Sequence, residues 1–270
     1  MTGGAPSDFS GRAASTARTR ATLPGTRPAG TQDEAAAAGQ VREMFGRIAP
    51  RYDLLNHLLS LRLDVVWRRR VARRFRSLLA RPDARALDLC CGTGDLALAL
   101  AEEAGAAGAR VVGADFAHPM LVRAQAKSER LAPGARPVFL EADALALPFA
   151  SESFDLLAAA FGFRNLANYA AGLAEFRRVL RPGGRAAILE FAEPRGALLS
   201  RLFHFYFHRV LPGIGGLISG DAQAYGYLPA SVARFPDPEA VAALIKGAGF
   251  AGVQFERWMG GLVTLHTAQR

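Results

Sequence analysis

Acidic residues and glycines follow two apolar runs of the chain at a spacing that suits a nucleotide-like ligand. Asp88 opens the segment D-L-C-C-G-T-G-D, in which Gly92, Thr93 and Gly94 separate a strand-like run from a helix-like run. Such a turn brings the backbone and the free N–H groups of a helix start close to a ligand. Asp115 ends the next apolar run, 21 residues after Gly94, and this spacing places a carboxylate on a ribose.

The turn departs from the phosphate-binding pattern GxGxxG, because Asp95 follows Gly94. A carboxylate at this point repels a pyrophosphate and attracts a positive charge. The segment therefore predicts a ligand that carries a ribose and a cation, such as the sulfonium of S-adenosylmethionine. A bare strand–turn–helix without a ligand is the alternative.

Two further polar segments each follow a strand candidate. Asp143 can accept a hydrogen bond from an adenine amine, and the N–H of Ala144 can reach a ring nitrogen; the alternative for Asp143 is the start of a turn before Pro148. In F-G-F-R-N, Arg164 can stabilise a phenolate and Asn165 can fix a ring oxygen. The alternative for Arg164 is a loop salt bridge. Arginine keeps its proton, so Arg164 cannot accept the phenolic proton of a substrate. We expect the acceptor of that proton to be a water, a histidine or a carboxylate.

Strands and helices alternate along the chain in a way that would place these segments at one edge of a sheet. Strand candidates are 85–90, 110–114, 137–141, 154–160 and 185–191, and helix candidates between them are 96–104, 118–130 and 169–179. This alternation predicts an α/β fold with a parallel, doubly wound sheet. After a helix at 238–247, the short Gly260-Gly261 link joins strands 250–257 and 261–267, which must therefore be antiparallel.

Composition divides the chain into three parts. Residues 1–38 contain almost no large apolar side chains and are predicted to be a disordered, dispensable tail. Residues 39–82 are predicted to form a helical N-terminal cap, and 83–270 a larger domain with an apolar insertion at 195–232. A helix in this insertion could cover an apolar substrate or rest on a membrane; the alternative is an ordinary core helix.

Charge and cysteine content limit the classes of protein. The two cysteines are adjacent, so we expect no disulfide framework and a reducing compartment. No run approaches the roughly 20 apolar residues of a spanning helix. The net charge is +9, and residues 42–76 hold ten arginines against three acidic residues. Such a basic segment can contact nucleic acid or an anionic membrane, or it can simply be a solvated helix face.

The glycine turn resembles motif I of the class I S-adenosylmethionine-dependent methyltransferases, (E/D)xGxGxG, with Cys90 at the first glycine position. A more specific resemblance extends over about residues 40–270. The chain resembles the UbiE/MenG/COQ5 family of quinone-biosynthesis C-methyltransferases in F-x-x-I-A-P-R-Y-D-L-L-N (45–56), D-L-C-C-G-T-G-D, A-L-P-F, F-G-F-R-N, V-L-R-P-G-G-R (179–185), and Asp221 with Tyr225.

The resemblance implies a Rossmann-like, seven-stranded, mostly parallel sheet with a final antiparallel hairpin. It implies C-methylation of demethylmenaquinol to menaquinol, or of the ubiquinone precursor 2-methoxy-6-polyprenyl-1,4-benzoquinol; the double cysteine favours the menaquinone branch. Cofactor contacts carry over to Thr93, Asp115, Asp143 and Ala144, next to the turn glycines. A further family contact is a serine, which is replaced here by Ala160.

On the substrate side we expect Arg164 and Asn165 to act on the ring, with Tyr52, Asp53 and Asn56 of the cap closing over it. The resemblance implies a demethylated prenylated quinol as substrate and a cytoplasmic protein in peripheral contact with the inner membrane. We expect no metal and no nucleic acid, and a homo-oligomer stays open.

Three alternative functions follow from the same residues. The first is a different small-molecule methyltransferase. The second is a nucleic-acid methyltransferase. The sequence has no base-flipping motif of the Asn-Pro-Pro-Tyr type, which argues against this function. The third is a scaffold that only binds the cofactor, against which the complete F-G-F-R-N segment argues.

Overall fold

The structure is a computed structural model that describes residues 25, 26, 28, 30–206, 209 and 222–270, with the side chains of 222–226 left out of the description. Asp221 and the side chain of Tyr225, which form part of the family resemblance, lie outside this description. Among the helices of the described residues, none is both long enough and apolar enough to cross a bilayer.

Three helices precede the sheet. Helix α1 (Glu34–Leu59) begins at the N-cap Asp33, whose side chain accepts a hydrogen bond from the N–H of Ala36 at 2.7 Å. The helix thus begins five residues before the predicted start of the cap at residue 39, inside the segment predicted to be a disordered tail. Helices α2 (Leu63–Arg74) and α3 (Arg76–Leu79) follow. Apolar side chains form the buried faces of these helices: α1 packs on the later helix His118–Ser128, and α2 packs on the helix Asp95–Ala104 and on the sheet.

The remaining chain forms one seven-stranded sheet with helices on both faces. The strands are β1 (Arg85–Leu89), β2 (Arg110–Asp115), β3 (Val138–Glu141), β4 (Phe154–Ala160), β5 (Leu180–Phe191), β6 (Ala251–Trp258) and β7 (Val263–Gln269). The helices between them are α4 (Asp95–Ala104), α5 (His118–Ser128), α6 (Tyr169–Val179), α7 (Ala197–Phe205), α8 (Ala222–Arg234) and α9 (Pro238–Gly247).

The strand order is β3-β2-β1-β4-β5-β7-β6. Strand β7 is antiparallel to both of its neighbours, β5 and β6, and the other pairs are parallel. The order reverses between β1 and β4, and in such sheets the crevice beyond the carboxyl ends of these strands binds ligands. The prediction of a doubly wound α/β sheet with a final antiparallel hairpin is confirmed.

Two details of the sheet differ from the prediction. Strand β5 begins at Leu180, five residues before the predicted start, because Leu180 pairs with Phe154 before the register shifts near Leu156. The link between β6 and β7 is a 3-10 turn over Met259–Gly261, in which Gly260 and Gly261 have φ of 69° and 99°. Glycine adopts such angles without strain, which explains the pair at this position.

The predicted apolar insertion contains α7 and α8, and residues 207, 208, 210–221 lie outside the description. Helix α7 buries Phe203 but leaves Leu198, Leu202 and Phe205 largely exposed. An ordinary core helix would bury these side chains. The described part of the insertion therefore favours a surface or cover role over the core alternative.

Candidate active site

The glycine turn after β1 is shaped by backbone angles that ordinary residues avoid. Cys90, Gly92 and Gly94 have φ of 56°, 53° and 82°. A Cβ at Gly94 would lie 2.8 Å from the Cβ of Ala124 and 3.0 Å from the Phe139 ring, so only glycine allows this approach. The turn is closed by the N–H of Gly94, which donates to the carbonyl of Cys91 at 2.8 Å.

Asp115 at the end of β2 is held by backbone amides. Its Oδ2 accepts from the N–H of Gly92 at 2.8 Å, and its Oδ1 accepts from the N–H of Ala117 at 2.9 Å. Burial raises the pKa of Asp115, and these amides partly oppose that effect. Because each carboxylate oxygen accepts more than one hydrogen bond, both oxygens still have capacity for ribose hydroxyls.

Asp88 at the end of β1 has a buried oxygen without a partner. Its Oδ2 accepts from the N–H of Ala97 at 2.8 Å, whereas its Oδ1 has no hydrogen-bond partner among the described residues. Burial holds the pKa of Asp88 well above its usual range. An unsatisfied buried oxygen is costly, so this oxygen fits a donor supplied by a ligand.

These groups line one cavity beyond the carboxyl ends of β1, β2 and β4. Its walls include seven of the predicted site residues: Tyr52, Gly92, Thr93, Asp115, Asp143, Ala144 and Asn165. Ala160, which stands where the family has a serine, also lines it. The structure thus brings the three separate segments predicted to contact the cofactor to one place. Gly94 shapes the turn without lining the cavity.

Asp53 lies at the glycine-turn end of this cavity. It accepts from the hydroxyl of Thr93, and Lys127 donates to it at 2.9 Å. Lys127 also contacts Thr93 at 3.1 Å and Asp95 at 2.5 Å. Of the three predicted cap residues, Tyr52 lines this cavity, Asp53 lies beside the glycine turn, and Asn56 does not line the cavity.

A second charged cluster borders the same end of the cavity. Ligand atoms of His57, Asp64 and Asp95 lie within 4.8 Å of one another, a spacing that a metal ion could use. Arg68 lies among them, with Nη1 at 2.5 Å from Asp64 and 3.8 Å from Asp95. The guanidinium already supplies the positive charge that the carboxylates need, so we assign no metal to this cluster.

Arg164 follows β4 in a short 3-10 turn, Phe163–Asn165, and is buried against β5. Its Nη1 donates to Glu190 Oε2 at 2.9 Å and to the carbonyl of Phe161, and its backbone N–H donates to Glu190 Oε1 at 3.0 Å. Its Nε lies 3.3 Å from the hydroxyl of Ser231. Nη2 makes no hydrogen bond with any described residue, so it is available to a ligand.

Asn165 is oriented by a tyrosine of the insertion. The hydroxyl of Tyr227 donates to Asn165 Oδ1 at 3.1 Å, which leaves the amide nitrogen of Asn165 as a donor. Burial raises the pKa of Tyr227 to about 12. Burial likewise raises the pKa of Tyr52, although Arg68 and Arg164 oppose the shift. Both phenols are therefore neutral hydrogen-bonding groups at physiological pH.

A second, apolar cavity of about 490 Å³ adjoins the first. Helices α1, α2, α7 and α8 and the strand ends of the sheet supply its mainly aliphatic and aromatic walls. The polar exceptions, apart from tyrosines, are Asn56, Ser60, Asp64, Arg68 and Arg164. The apolar wall residues include Leu59, Leu63, Trp67, Phe191, Leu199, Leu202, Phe203, Phe205 and Leu228. Tyr52, Arg68 and Phe161 line both cavities and mark their junction.

Three charged residues at the site lay outside the predicted set. Glu190 and Lys127 contact the predicted residues Arg164 and Asp53, which lie 26 and 74 positions away in the sequence. Arg68 contacts Asp95 of the glycine turn, 27 positions away. A local signal existed only for Glu190, a charged residue inside the apolar strand A-I-L-E-F. Burying such a residue requires a partner, and Arg164 is that partner.

The fold and the site define a class of protein: an α/β enzyme of the class I methyltransferase fold, with a nucleotide-type pocket beside an apolar substrate cavity. The sequence profile of the ubiE/COQ5 methyltransferase family matches residues 32–270. The chain belongs to this family.

Relatives match over nearly the whole family region. A demethylmenaquinone methyltransferase of Thermus thermophilus is 52% identical over 227 residues, which are 84% of this chain and 100% of that protein. One from Deinococcus radiodurans is 49% identical, covering 78% of this chain and 84% of that protein. A ubiquinone/menaquinone biosynthesis C-methyltransferase of Geotalea uraniireducens is 42% identical, covering 86% and 96%.

Solved structures share the fold at low sequence identity. A SAM-dependent methyltransferase of Thermotoga maritima has a TM-score of 0.58 at 17% identity and covers 84% of this chain and 98% of that one. The [4+2]-cyclase SpnF has a TM-score of 0.63 at 17% identity and covers 93% and 99%. These similarities show the architecture alone.

We predict that Asp115→Ala weakens S-adenosylmethionine binding by tens-fold or more, because each lost hydrogen bond to a charged acceptor contributes about 1.5–3 kcal/mol. Calorimetric titration measures the dissociation constant directly. Glu141→Gln is the matched control, since Glu141 ends the adjacent strand and is exposed. Unchanged affinity in a folded Asp115→Ala protein would remove Asp115 from the cofactor site.

Proposed function

We propose that this protein transfers a methyl group from S-adenosylmethionine to a ring carbon of a demethylated prenylated quinol, converting demethylmenaquinol to menaquinol. The observation that carries the proposal is the meeting of a nucleotide-type pocket with an apolar cavity at Tyr52, Arg68 and Phe161, beside the buried Arg164. The names of the two relatives at 52% and 49% identity support the menaquinol substrate over the ubiquinone precursor.

The residues of the first cavity fit S-adenosylmethionine. Asp115 would hold the ribose hydroxyls, and Asp143 and Ala144 would hold the adenine edge. The free Oδ1 of Asp88 would accept from the ammonium of the methionine part. Asp53, Thr93, Asp95 and Lys127 would surround the same end with charges of both signs. When bound, the cofactor supplies an electrophilic methyl group on its sulfonium.

Arg164 and Asn165 would act on the substrate oxygens. Attack on the methyl group requires an electron-rich ring, and a phenolate supplies more electron density than a phenol. The free Nη2 of Arg164 and the amide N–H of Asn165 are donors that stabilise a phenolate oxygen. As the reaction proceeds, a bond forms between the methyl carbon and the ring carbon, the bond from sulfur to that methyl carbon breaks, and the ring releases one proton.

Glu190 would act through Arg164 rather than on the ring. It is 1% exposed and contacts both the side chain and the backbone N–H of Arg164. It thereby fixes the guanidinium of Arg164, while Nη2 makes no hydrogen bond with any described residue. Tyr52 would cover the ring from α1, and it lies between two guanidinium groups whose charges favour an anionic oxygen nearby.

The second cavity supports a substrate with a long apolar tail. Its walls are almost entirely aliphatic and aromatic, and they continue to the exposed residues Leu61, Leu199, Leu202, Phe205 and Met259. An isoprenoid chain fits such walls because burying apolar area yields roughly 25 cal/mol per Å². The tail would leave the ring at the junction and extend toward this open end.

The assay that tests the proposal supplies purified protein with S-adenosylmethionine and chemically reduced demethylmenaquinone. Mass spectrometry should detect a gain of one methyl group on the quinol. A demethylated benzoquinol with the same tail, offered separately, should turn over more slowly. No methylated product from either quinol, in a preparation that binds the cofactor, would contradict the proposal and favour another small-molecule methyltransferase.

In the same assay, Arg164→Ala should lower turnover by roughly a hundredfold or more, the usual effect of one lost electrostatic stabiliser. Cofactor affinity should change little, because Arg164 lines the apolar cavity and not the cofactor cavity. Arg195→Ala is a control for loss of an arginine, since Arg195 is exposed, pairs with Glu239 and lines neither cavity. Near-normal turnover of Arg164→Ala would contradict the role of Arg164 in stabilising the substrate oxygen. A loss of cofactor binding as large as the loss of turnover would assign Arg164 to the cofactor pocket.

We also infer peripheral contact with the cytoplasmic surface of the inner membrane, where a prenylated quinol resides. The rim of the apolar cavity exposes large apolar side chains such as Leu61, which is 79% accessible. Leu198, next to the wall residue Leu199 on α7, is 83% accessible. Contiguous exposed apolar patches mark interaction sites. The rim and the arginines beside it would rest on anionic lipid and let the tail pass directly into the cavity.

The basic segment 42–76 contributes fewer free charges than its sequence suggests. Arg68 is buried, Arg70 lies over the Trp258 ring, and Arg74 and Arg76 pair with acidic residues of the large domain. Three exposed arginines form no ion pair with described residues: Arg62, Arg69 and Arg73. Arg62 directly follows Leu61 at the rim, so it is the charge best placed for lipid headgroups.

Membrane contact predicts that Leu198→Asp reduces sedimentation with phosphatidylglycerol-rich vesicles at low salt by about tenfold, since one buried leucine contributes about 1.5–3 kcal/mol. Val122→Asp is the control, because Val122 is an exposed apolar residue on α5, away from the rim. Wild-type binding should fall with added salt. Equal sedimentation of the two variants would exclude α7 from the membrane contact.

A further inference from the structure

Two residues ahead of the matched family region lie against the loop that carries Arg164. The N–H of Thr26 donates to the carbonyl of Leu166 at 2.8 Å, and the Thr26 hydroxyl donates to the carbonyl of Arg164. The same hydroxyl lies 3.0 Å from that of Tyr169. Thr26 is 4% exposed. The family profile begins at residue 32, so these contacts lie outside the part shared with the family profile.

Gly25 permits this close approach. Its φ is 144°, and a Cβ here would lie 2.2 Å from the backbone carbon and oxygen of Ala167. No side chain fits in that space. The chain therefore meets the loop backbone to backbone at Gly25, and side chain to backbone at Thr26.

The contacted peptide group joins the two residues proposed to act on the substrate ring. The carbonyl of Arg164 accepts from both Thr26 and Tyr169, the latter at 3.0 Å. On the other side of Arg164, the backbone N–H donates to Glu190. Fixing the peptide planes before and after Arg164 fixes where its side chain and that of Asn165 begin. Buried hydrogen bonds of this kind orient a site when all members are satisfied.

The segment also excludes water from the loop. Leu166, Ala167 and Tyr169 are each less than a tenth exposed. Among the described residues, the carbonyl of Leu166 accepts a hydrogen bond only from the N–H of Thr26. At the start of α1, Glu34 accepts from the side chain of Asn168 at 3.1 Å. The loop between β4 and α6 is thus contacted by Gly25, Thr26 and Glu34.

We propose that Gly25 and Thr26 form a strap that positions the Arg164–Asn165 loop for methyl transfer. Thr26 is a positioning residue in this account, since it contacts the loop backbone and neither cavity. The inference rests on the proposed function for its kinetic consequence, but the strap contact itself does not depend on which substrate is methylated.

The test uses three full-length variants. Thr26→Val keeps the shape and removes the hydroxyl, Thr26→Ser keeps the hydroxyl, and Thr31→Val removes a hydroxyl of the same segment that bonds only locally, to the carbonyl of Pro28 at 2.8 Å. Amide hydrogen exchange of residues 161–169 reports loop order without any substrate. Turnover at saturating substrate, KM and cofactor affinity are measured alongside.

Thr26→Val should speed exchange of residues 161–169 and lower kcat by about tenfold, because a small misplacement of a catalytic group has effects of that size or larger. Cofactor affinity should stay unchanged, and Thr26→Ser should restore both readouts. Thr31→Val should behave as wild type. Exchange in Thr26→Val equal to that in Thr31→Val would overturn the strap, and faster exchange with unchanged kcat would overturn its positioning role. A wild-type protein inactive on the quinol would count against the proposed function, while the exchange measurement would still decide whether the strap holds the loop.

Discussion

The site depends on one buried ion pair, between Arg164 and Glu190, where β4 and β5 end side by side. Both side chains are almost fully buried. Removing a single partner from such a pair typically costs about 3–5 kcal/mol, so each residue requires the other. The pairing uses Nη1 and the backbone N–H of Arg164, and Nη2 makes no hydrogen bond with any described residue. Nη1 also donates to the carbonyl of Phe161, and Nε donates to the hydroxyl of Ser231.

The arrangement separates two kinds of environment across a narrow junction. On one side, acidic side chains and one lysine surround the glycine turn, which suits a cofactor with a sulfonium, an ammonium and a carboxylate. On the other side, aliphatic and aromatic walls suit the tail of a quinol. Arg68 lines both cavities, since it lies 3.8 Å from Asp95 of the glycine turn and 5.3 Å from the Phe161 ring centre. The apolar walls lower the local dielectric constant, which strengthens charge stabilisation.

Most of the sheet and the cofactor pocket were predictable because their signals are local. Apolar runs, the glycine turn and the acid after β2 are each read from fewer than about ten residues, and the parallel topology then brings strand ends together. The early start of β5 was missed because R-P-G-G is typical of a turn, yet Leu180 pairs with β4 before it. Asp53 was expected at the ring, whereas its contacts with Thr93 and Lys127 place it beside the glycine turn.

The parts of the site that the sequence did not predict depend on contacts between residues far apart in the chain. Lys127 reaches Asp53 across 74 positions, and Thr26 reaches Arg164 across 138. The composition of the first 38 residues suggests a tail without structure, and nothing in Gly25 or Thr26 alone points to a docking site on a distant loop. The division into tail, cap and larger domain stays a proposal, although the cap helices share their core with the sheet.

The most direct test of the central ion pair is the single-turnover rate of methyl transfer in Glu190→Gln, which keeps the shape of the side chain and removes its charge. The variant is compared with wild type after cofactor binding has shown that both are folded. We predict a rate about tenfold lower or more, with little change in cofactor affinity, because Arg164 loses the partner that orients it. A folded variant that transfers the methyl group at the wild-type rate would contradict the account.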